Sequence, residues 1–205
     1  MLLLCIVAVP AACLMVLGLS NPEPLDSDFT ASQSEATQYE NSFEQAVTQG
    51  NNEGTFVLTV QEEEMASWLT LEYERLREEN ELDSDFGWLT ERWQELEDLE
   101  FQVAFEEDEF KIYTALSLPL DAEIGILLTG TLAPNQNSAS RAQPLNVDIT
   151  AFQIGSLYLP DNARRDVAAD ISEIITDELT FERFYRITDV SLENGQMRLT
   201  GTVNR

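Results

Sequence analysis

Residues 99–118 read LEFQVAFEEDEFKIYTALSL, and this stretch decides the fold class. Phe101, Val103 and Phe105 recur at every second position. After the acidic Glu106-Glu107-Asp108 the same period resumes through Phe110, Ile112, Thr114, Leu116 and Leu118. A period of two interrupted by a short polar turn predicts two consecutive antiparallel strands. The pattern continues in AEIGILLTGTL (122–132), with Ala122, Ile124, Ile126, Leu128 and Leu132 on one face and Gly130 as a bend. In PLNVDITAFQI (144–154), Leu145, Val147, Ile149 and Ala151 alternate, then Phe152 and Ile154 take the opposite parity. That flip predicts a bulge or a bend near the strand's end. FYRITDVSL and QMRLTGTV, joined by Glu193-Asn194-Gly195, carry the Asn-Gly signature of a tight hairpin.

Upstream the period changes. Tyr39, Phe43 and Val47 stand four apart and predict a helix over 35–48, ended by Gly50, before a strand in TFVLTV (55–60). QEEEMASWLTLEYERLREEN (61–80) predicts a second helix, with Met65, Trp68, Leu69, Glu72, Tyr73 and Leu76 on one face. Glu62, Glu63 and Glu64 fall in its first turn and Arg75 and Arg77 near its end, both matching the helix dipole. Helix-start electrostatics explains the three glutamates better than a metal or acid–base site. Residues 88–99 predict a further short helix. LDSDF occurs at 25–29 and again at 82–86 and reads as turn chemistry rather than a calcium loop. In the C-terminal half, Val167, Ile171, Ile174, Ile175 and Leu179 mark an amphipathic helix with Asp161 as its candidate N-cap. The fold expected is α+β: a mostly antiparallel, curved sheet with amphipathic helices packed on one face.

Composition narrows the chemistry. Thirty-eight acidic against 11 basic residues leave a net charge of −27, a field that repels nucleic acid. The chain has no histidine, which removes Ser-His-Asp and Cys-His nucleophilic sites and histidine-ligated zinc. Its only cysteines, Cys5 and Cys13, lie in the apolar N-terminus. Carboxylates are abundant, but no spacing singles out a catalytic pair. No metal site, cofactor or catalytic residue is expected, and no enzyme.

Residues 1–19 read MLLLCIVAVPAACLMVLGL, almost wholly apolar, and give way to Ser20-Asn21-Pro22-Glu23-Pro24. This predicts an N-terminal export signal or a short membrane-anchor helix over 1–20. Residues 21–36, rich in proline, serine and acid, are expected to form a flexible linker, with one α+β domain over 37–205. The protein is therefore expected to be exported or membrane-anchored, on the outer side of the cytoplasmic membrane or in the cell envelope.

One corner stands apart. In AFQIGSLYLPDNARRDV (151–167) a strand ends at Gly155, and Leu157, Tyr158, Leu159 and Pro160 precede a helix start carrying Arg164 and Arg165. Core packing accounts for apolar side chains at such a corner, and so does the mouth of an apolar site. Two arginines oppose the dipole at a helix start, so a lipid phosphate is one reading of them and a solvated or salt-bridged pair is the other. The candidate ligand-binding residues are Leu157, Tyr158, Leu159, Arg164, Arg165 and Ile171.

Three passages resemble a family. Phe56-Val57-Leu58-Thr59-Val60 with Glu62-Glu63-Glu64-Met65, then Gly155, Leu157, Leu159 and Pro160, then Val190, Gly195, Leu199 and Gly201, together resemble the bacterial YpmS-like and LmeA-like extracytoplasmic proteins. Gln61 departs from the Thr or Ser cap of that pattern, and residues 82–99 look like extra material. The resemblance implies a membrane-tethered, non-enzymatic module with a lipid-binding type of fold and no catalytic residues. Its partners would be a lipid or other apolar ligand held between helix and sheet, and the membrane through the N-terminal segment. The alternative is a structural domain that docks an envelope protein of unknown identity.

Overall fold

The structure is a computed structural model that describes residues 21–26, 28–78, 99–118, 122–135, 145–169, 185–193 and 195–203. The apolar residues 1–20, residues 88–98 of the helix expected over 88–99 and the second LDSDF lie outside the described residues; Leu99 is described, buried and outside any helix.

The order of elements is α1 (Gln33–Glu53), β1 (Thr55–Gln61), α2 (Glu62–Glu78), β2 (Phe101–Glu106), β3 (Glu109–Leu118), β4 (Ala122–Pro134), β5 (Leu145–Ile154), β6 (Leu157–Tyr158), a helix α3 described over 161–169, β7 (Tyr185–Glu193) and β8 (Gln196–Val203). The α+β class holds, and every strand pair is antiparallel. The single sheet expected does not form. The strands divide into a three-stranded sheet β1-β8-β7 and a five-stranded sheet β2-β3-β4-β5-β6. Local hairpins build the larger sheet, whereas β1 pairs with the C-terminal β8 across most of the chain.

The two sheets are joined at their turns. Asp108 N–H donates to the Leu192 carbonyl (3.1 Å) and Gly195 N–H to the Phe105 carbonyl (3.3 Å). Side chains from both sheets then share one core, including Phe56, Leu58 and Val60 of β1, Phe105 of β2, Phe110 of β3, Leu128 of β4 and Leu199 of β8. Ala66 of α2 and Ala168 of α3 belong to the same cluster.

The sheets repeat one local device. In β5, Thr150 is the unpaired extra residue between Ile149↔Gly130 and Ala151↔Thr129. In β7, Thr188 holds the same place between Ile187↔Gly201 and Asp189↔Thr200. Both threonine hydroxyls donate to a carbonyl of the partner strand, Thr150 to Thr129 (3.2 Å) and Thr188 to Thr200 (3.1 Å). Each bulge faces a glycine that carries a phenylalanine ring on its other side. A Cβ on Gly130 would lie 2.7 Å from Phe110 Cζ, and one on Gly201 would lie 2.4 Å from Phe56 Cε1. The parity flip read in residues 144–154 is thus a bulge at Thr150, and Gly130 lies directly opposite it. Thr188 follows an isoleucine as Thr150 does.

Helix ends differ from expectation for identifiable reasons. Gly50 does not end α1. It is buried inside the helix, and a glycine there costs only about 1 kcal/mol relative to alanine. Ser32 caps the start, and Gly54, at φ 81, supplies the left-handed residue that ends it. The apolar face expected for α2 does turn inward, with Met65 and Leu69 packed against the core and Tyr73 buried, but the most buried strip extends beyond it to Ala66, Ser67 and Thr70. The helix packs against both α1 and β2, so it buries small residues where it meets them. The two hydroxyls are satisfied there. Ser67 Oγ accepts Ser32 N–H (3.1 Å) and bonds Glu35 (3.3 Å), while Thr70 Oγ1 donates to the Ala66 carbonyl (2.9 Å) and accepts Phe101 N–H (3.0 Å).

The acidic segment before α1 also makes defined contacts. Asn21 Nδ2 donates to the Glu123 carbonyl (2.8 Å), and Asp26 N–H to Gln102 Oε1 (3.0 Å). Pro22 is buried, with its Cγ 3.1 Å from where a Gly125 Cβ would stand. Asp26 Oδ1 accepts Asp28 N–H (2.9 Å), the turn expected of the first LDSDF, and Phe29 packs on the core.

Candidate functional site

β5 and β6 form a tight turn around Gly155, whose φ of 56 only glycine adopts freely. Gln153 Nε2 braces the turn by donating to the Gly155 carbonyl (2.7 Å), and Gly155 N–H donates to Gly125 on β4 (2.8 Å). Leu157 then pairs with Ile154 and Tyr158 with Gln153, which makes β6 the edge of the five-stranded sheet.

The three apolar residues of this corner part company. Leu159 turns inward: its N–H donates to the Phe152 carbonyl (2.8 Å) and its side chain packs against the core. Leu157 and Tyr158 stay outside, 57% and 68% exposed, far more than Val57 at 37%, the other large exposed apolar side chain among the described residues. The corner therefore closes the core with one leucine and presents a leucine–tyrosine pair to the surroundings.

The two arginines have different surroundings. Arg164 bends back over the sheet edge. Its guanidinium donates to the Thr150 carbonyl, at the bulge, and to Asp161 Oδ1 at 2.5 Å. The guanidinium bond and its charge hold the Asp161 carboxyl below the usual carboxylate range. Arg165 remains exposed, with its Nε donating to the Asp161 carbonyl (3.3 Å). Asp161 is not the N-cap. It is the first helical residue, and the Pro160 carbonyl accepts the first helical bond from Arg164 N–H (3.1 Å). Val167 and Ala168 carry the inner face of α3 onto the core. Ile171, with Ile174, Ile175 and Leu179, lies outside the described residues.

A second polar locus joins the two sheets. Gln61 offers α2 no cap, and the acids after it compensate. Glu64 accepts Gln61 N–H (3.0 Å), and Glu62 N–H donates to the Gly195 carbonyl (3.0 Å). The Glu62 carboxylate accepts Phe105 N–H (3.3 Å). Burial raises its pKa above the ordinary value, the Phe105 bond opposes that, and Glu63, Glu106 and Asp26 raise it further. Of the three glutamates read as helix-start electrostatics, Glu64 caps the start of α2 and Glu62 also ties it to β2 and to the β7–β8 turn. Among the described residues no group of three or more His, Cys, Asp or Glu side chains is placed to hold a metal ion.

No protein-family model, no curated protein and no solved structure matches this chain. The geometry of the site is therefore what bears on function.

Proposed function

We propose that the protein is a non-catalytic, membrane-tethered or exported module of the cell envelope that binds a lipid or other apolar ligand between α3 and the five-stranded sheet. The observation that carries this reading is the exposure of the consecutive residues Leu157 and Tyr158 at a sheet edge. A protein of this acidity exposes such a pair at little benefit to folding, and an exposed leucine next to a polar-tipped aromatic suits contact with an acyl chain. The apolar residues 1–19 and the resemblance to YpmS-like and LmeA-like proteins support the same reading. Arg165 is the better headgroup contact of the two arginines, since Arg164 is engaged with Thr150 and Asp161.

Native mass spectrometry and lipid extraction of the purified protein test it. The expected result is a co-purifying acyl species that is lost in Leu157→Ser/Tyr158→Ser. A clean ligand-free species that takes up no acyl probe refutes it.

The position of β6 at the sheet edge favours a second reading, in which an extended segment of an envelope protein adds to that edge. An acidic chain would select a basic partner, so capture should weaken with salt, whereas acyl-chain binding should depend little on it.

A further inference from the structure

We infer that the Leu157–Tyr158 corner contacts the bilayer interface itself, beside the point where the apolar N-terminal run meets the domain. This rests on the membrane-tether part of the proposed function and adds an orientation to it.

The argument begins with slack. The apolar run ends at Leu19, and the chain is fastened to β4 from Asn21 onward, through the Glu123 carbonyl and the packing of Pro22 against Gly125. Two residues span at most about 7 Å, so a run seated in a bilayer holds this part of the domain against the membrane surface. Asp26 to Gln102 and Ser32 to Ser67 fasten the rest of the segment, so little free length remains to let the domain drift away.

The exposed pair lies close to that anchorage. Leu157 faces Ile154, which faces Ile126, and Glu123 is three residues along β4. Two strand spacings and three residues of rise place Leu157 about 15 Å from the anchorage. Gly155 N–H is bonded to Gly125, the residue that Pro22 packs on, so the corner and the anchorage are braced by one glycine. A tilt that brings both to the surface sets the leucine at the acyl boundary and the tyrosine at headgroup level, where tyrosine is enriched. The acidic turn Glu107-Asp108 stands at the opposite end of β3, whose ten residues span about 30 Å. That turn is then directed away from the surface, where its carboxylates keep their water.

The occupant is a neutral lipid surface. A chain of net charge −27 would be repelled by an anionic one. The test uses the full chain in phosphatidylcholine vesicles, with Cys5 and Cys13 changed to serine. A single environment-sensitive fluorophore is placed by Tyr158→Cys or, as the far-end control, by Glu107→Cys. Doxyl-labelled phosphatidylcholine is the quencher. The expected result is about twofold quenching at 158, as for a group seated at the acyl boundary, and none at 107. Quenching equal at both positions overturns the orientation. A probe at 158 that stays water-like, or is shielded without being quenched, overturns the contact while flotation of the chain with the vesicles leaves the tether standing. Failure to float overturns both.

Discussion

Placing one methyl group on Gly201 tests the way the smaller sheet is assembled. A Cβ there would lie 2.4 Å from Phe56 Cε1, 2.5 Å from its Cζ and 2.7 Å from the Arg186 carbonyl. Ordinary carbon contacts begin about 1 Å further out, near 3.5 Å. The ring has little room to withdraw, because Phe56 is buried in the shared core. The carbonyl belongs to β7 and moves only with its strand. Overpacking of this kind costs about 1–3 kcal/mol, and the backbone clash puts Gly201→Ala at the upper end. For a chain of this size about 3 kcal/mol lowers the melting temperature by roughly 6–12 °C. Urea denaturation followed by far-UV circular dichroism should show the loss as a lower midpoint at unchanged slope. Phe56→Leu removes the ring tip but leaves the carbonyl, so the double variant should cost less than the sum of the singles by about 0.5–1 kcal/mol. The parallel pair Gly130→Ala and Phe110→Leu should behave alike, since a Cβ on Gly130 would lie 2.7 Å from Phe110 Cζ and 2.8 Å from the Asp148 carbonyl. A Gly201→Ala protein as stable as the parent, or strict additivity with Phe56→Leu, would refute the ring-over-glycine packing.

Thr70→Val keeps shape but leaves the Phe101 N–H without its acceptor, and should cost about 1–3 kcal/mol in the same assay. Arg164→Met should cost about 1–2 kcal/mol, with faster amide hydrogen exchange around the Thr150 bulge. If that variant keeps full stability but loses a bound acyl species, Arg164 serves a ligand instead. For Glu62 the sign follows from its raised pKa. The folded chain holds this proton to higher pH than the unfolded one. The resulting stability is fully present below the ordinary value of 4.5 and is lost as pH rises through the folded value. The gain in melting temperature of Glu62→Gln over the parent should therefore be larger at pH 7 than at pH 4, and a gain independent of pH would contradict the burial argument.

The hairpins were legible because their signals are local. Alternation around Glu106-Glu107-Asp108 gives β2–β3, and Asn194-Gly195 gives β7–β8. The pairing of β1 with β8 was not, because nothing in TFVLTV names a partner about 140 residues away. The small polar part of the buried face of α2 was not legible for a related reason. Ser67 and Thr70 look polar in sequence, and only their bonds to Ser32, Glu35 and Phe101 make burial tolerable. Of the candidate site, sequence located the corner but treated Leu157, Tyr158 and Leu159 as equivalent. The turn at Gly155 separates them. Pattern also could not show that Arg164 would reach back to a bulge carbonyl fourteen residues earlier.

Pairing a ring with a glycine amounts to a key cut for one setting. β4 offers Phe110 a vacancy at Gly130, and its other glycine, Gly125, is five residues away. A slip of that odd number would turn every inward side chain outward, so it cannot serve as a false match. In β8, Gly201 gives Phe56 the same single vacancy. Each sheet thereby carries its own proofreading mark. A strand set out of step would put a side chain where the ring must go, and the shared core could not pack over it.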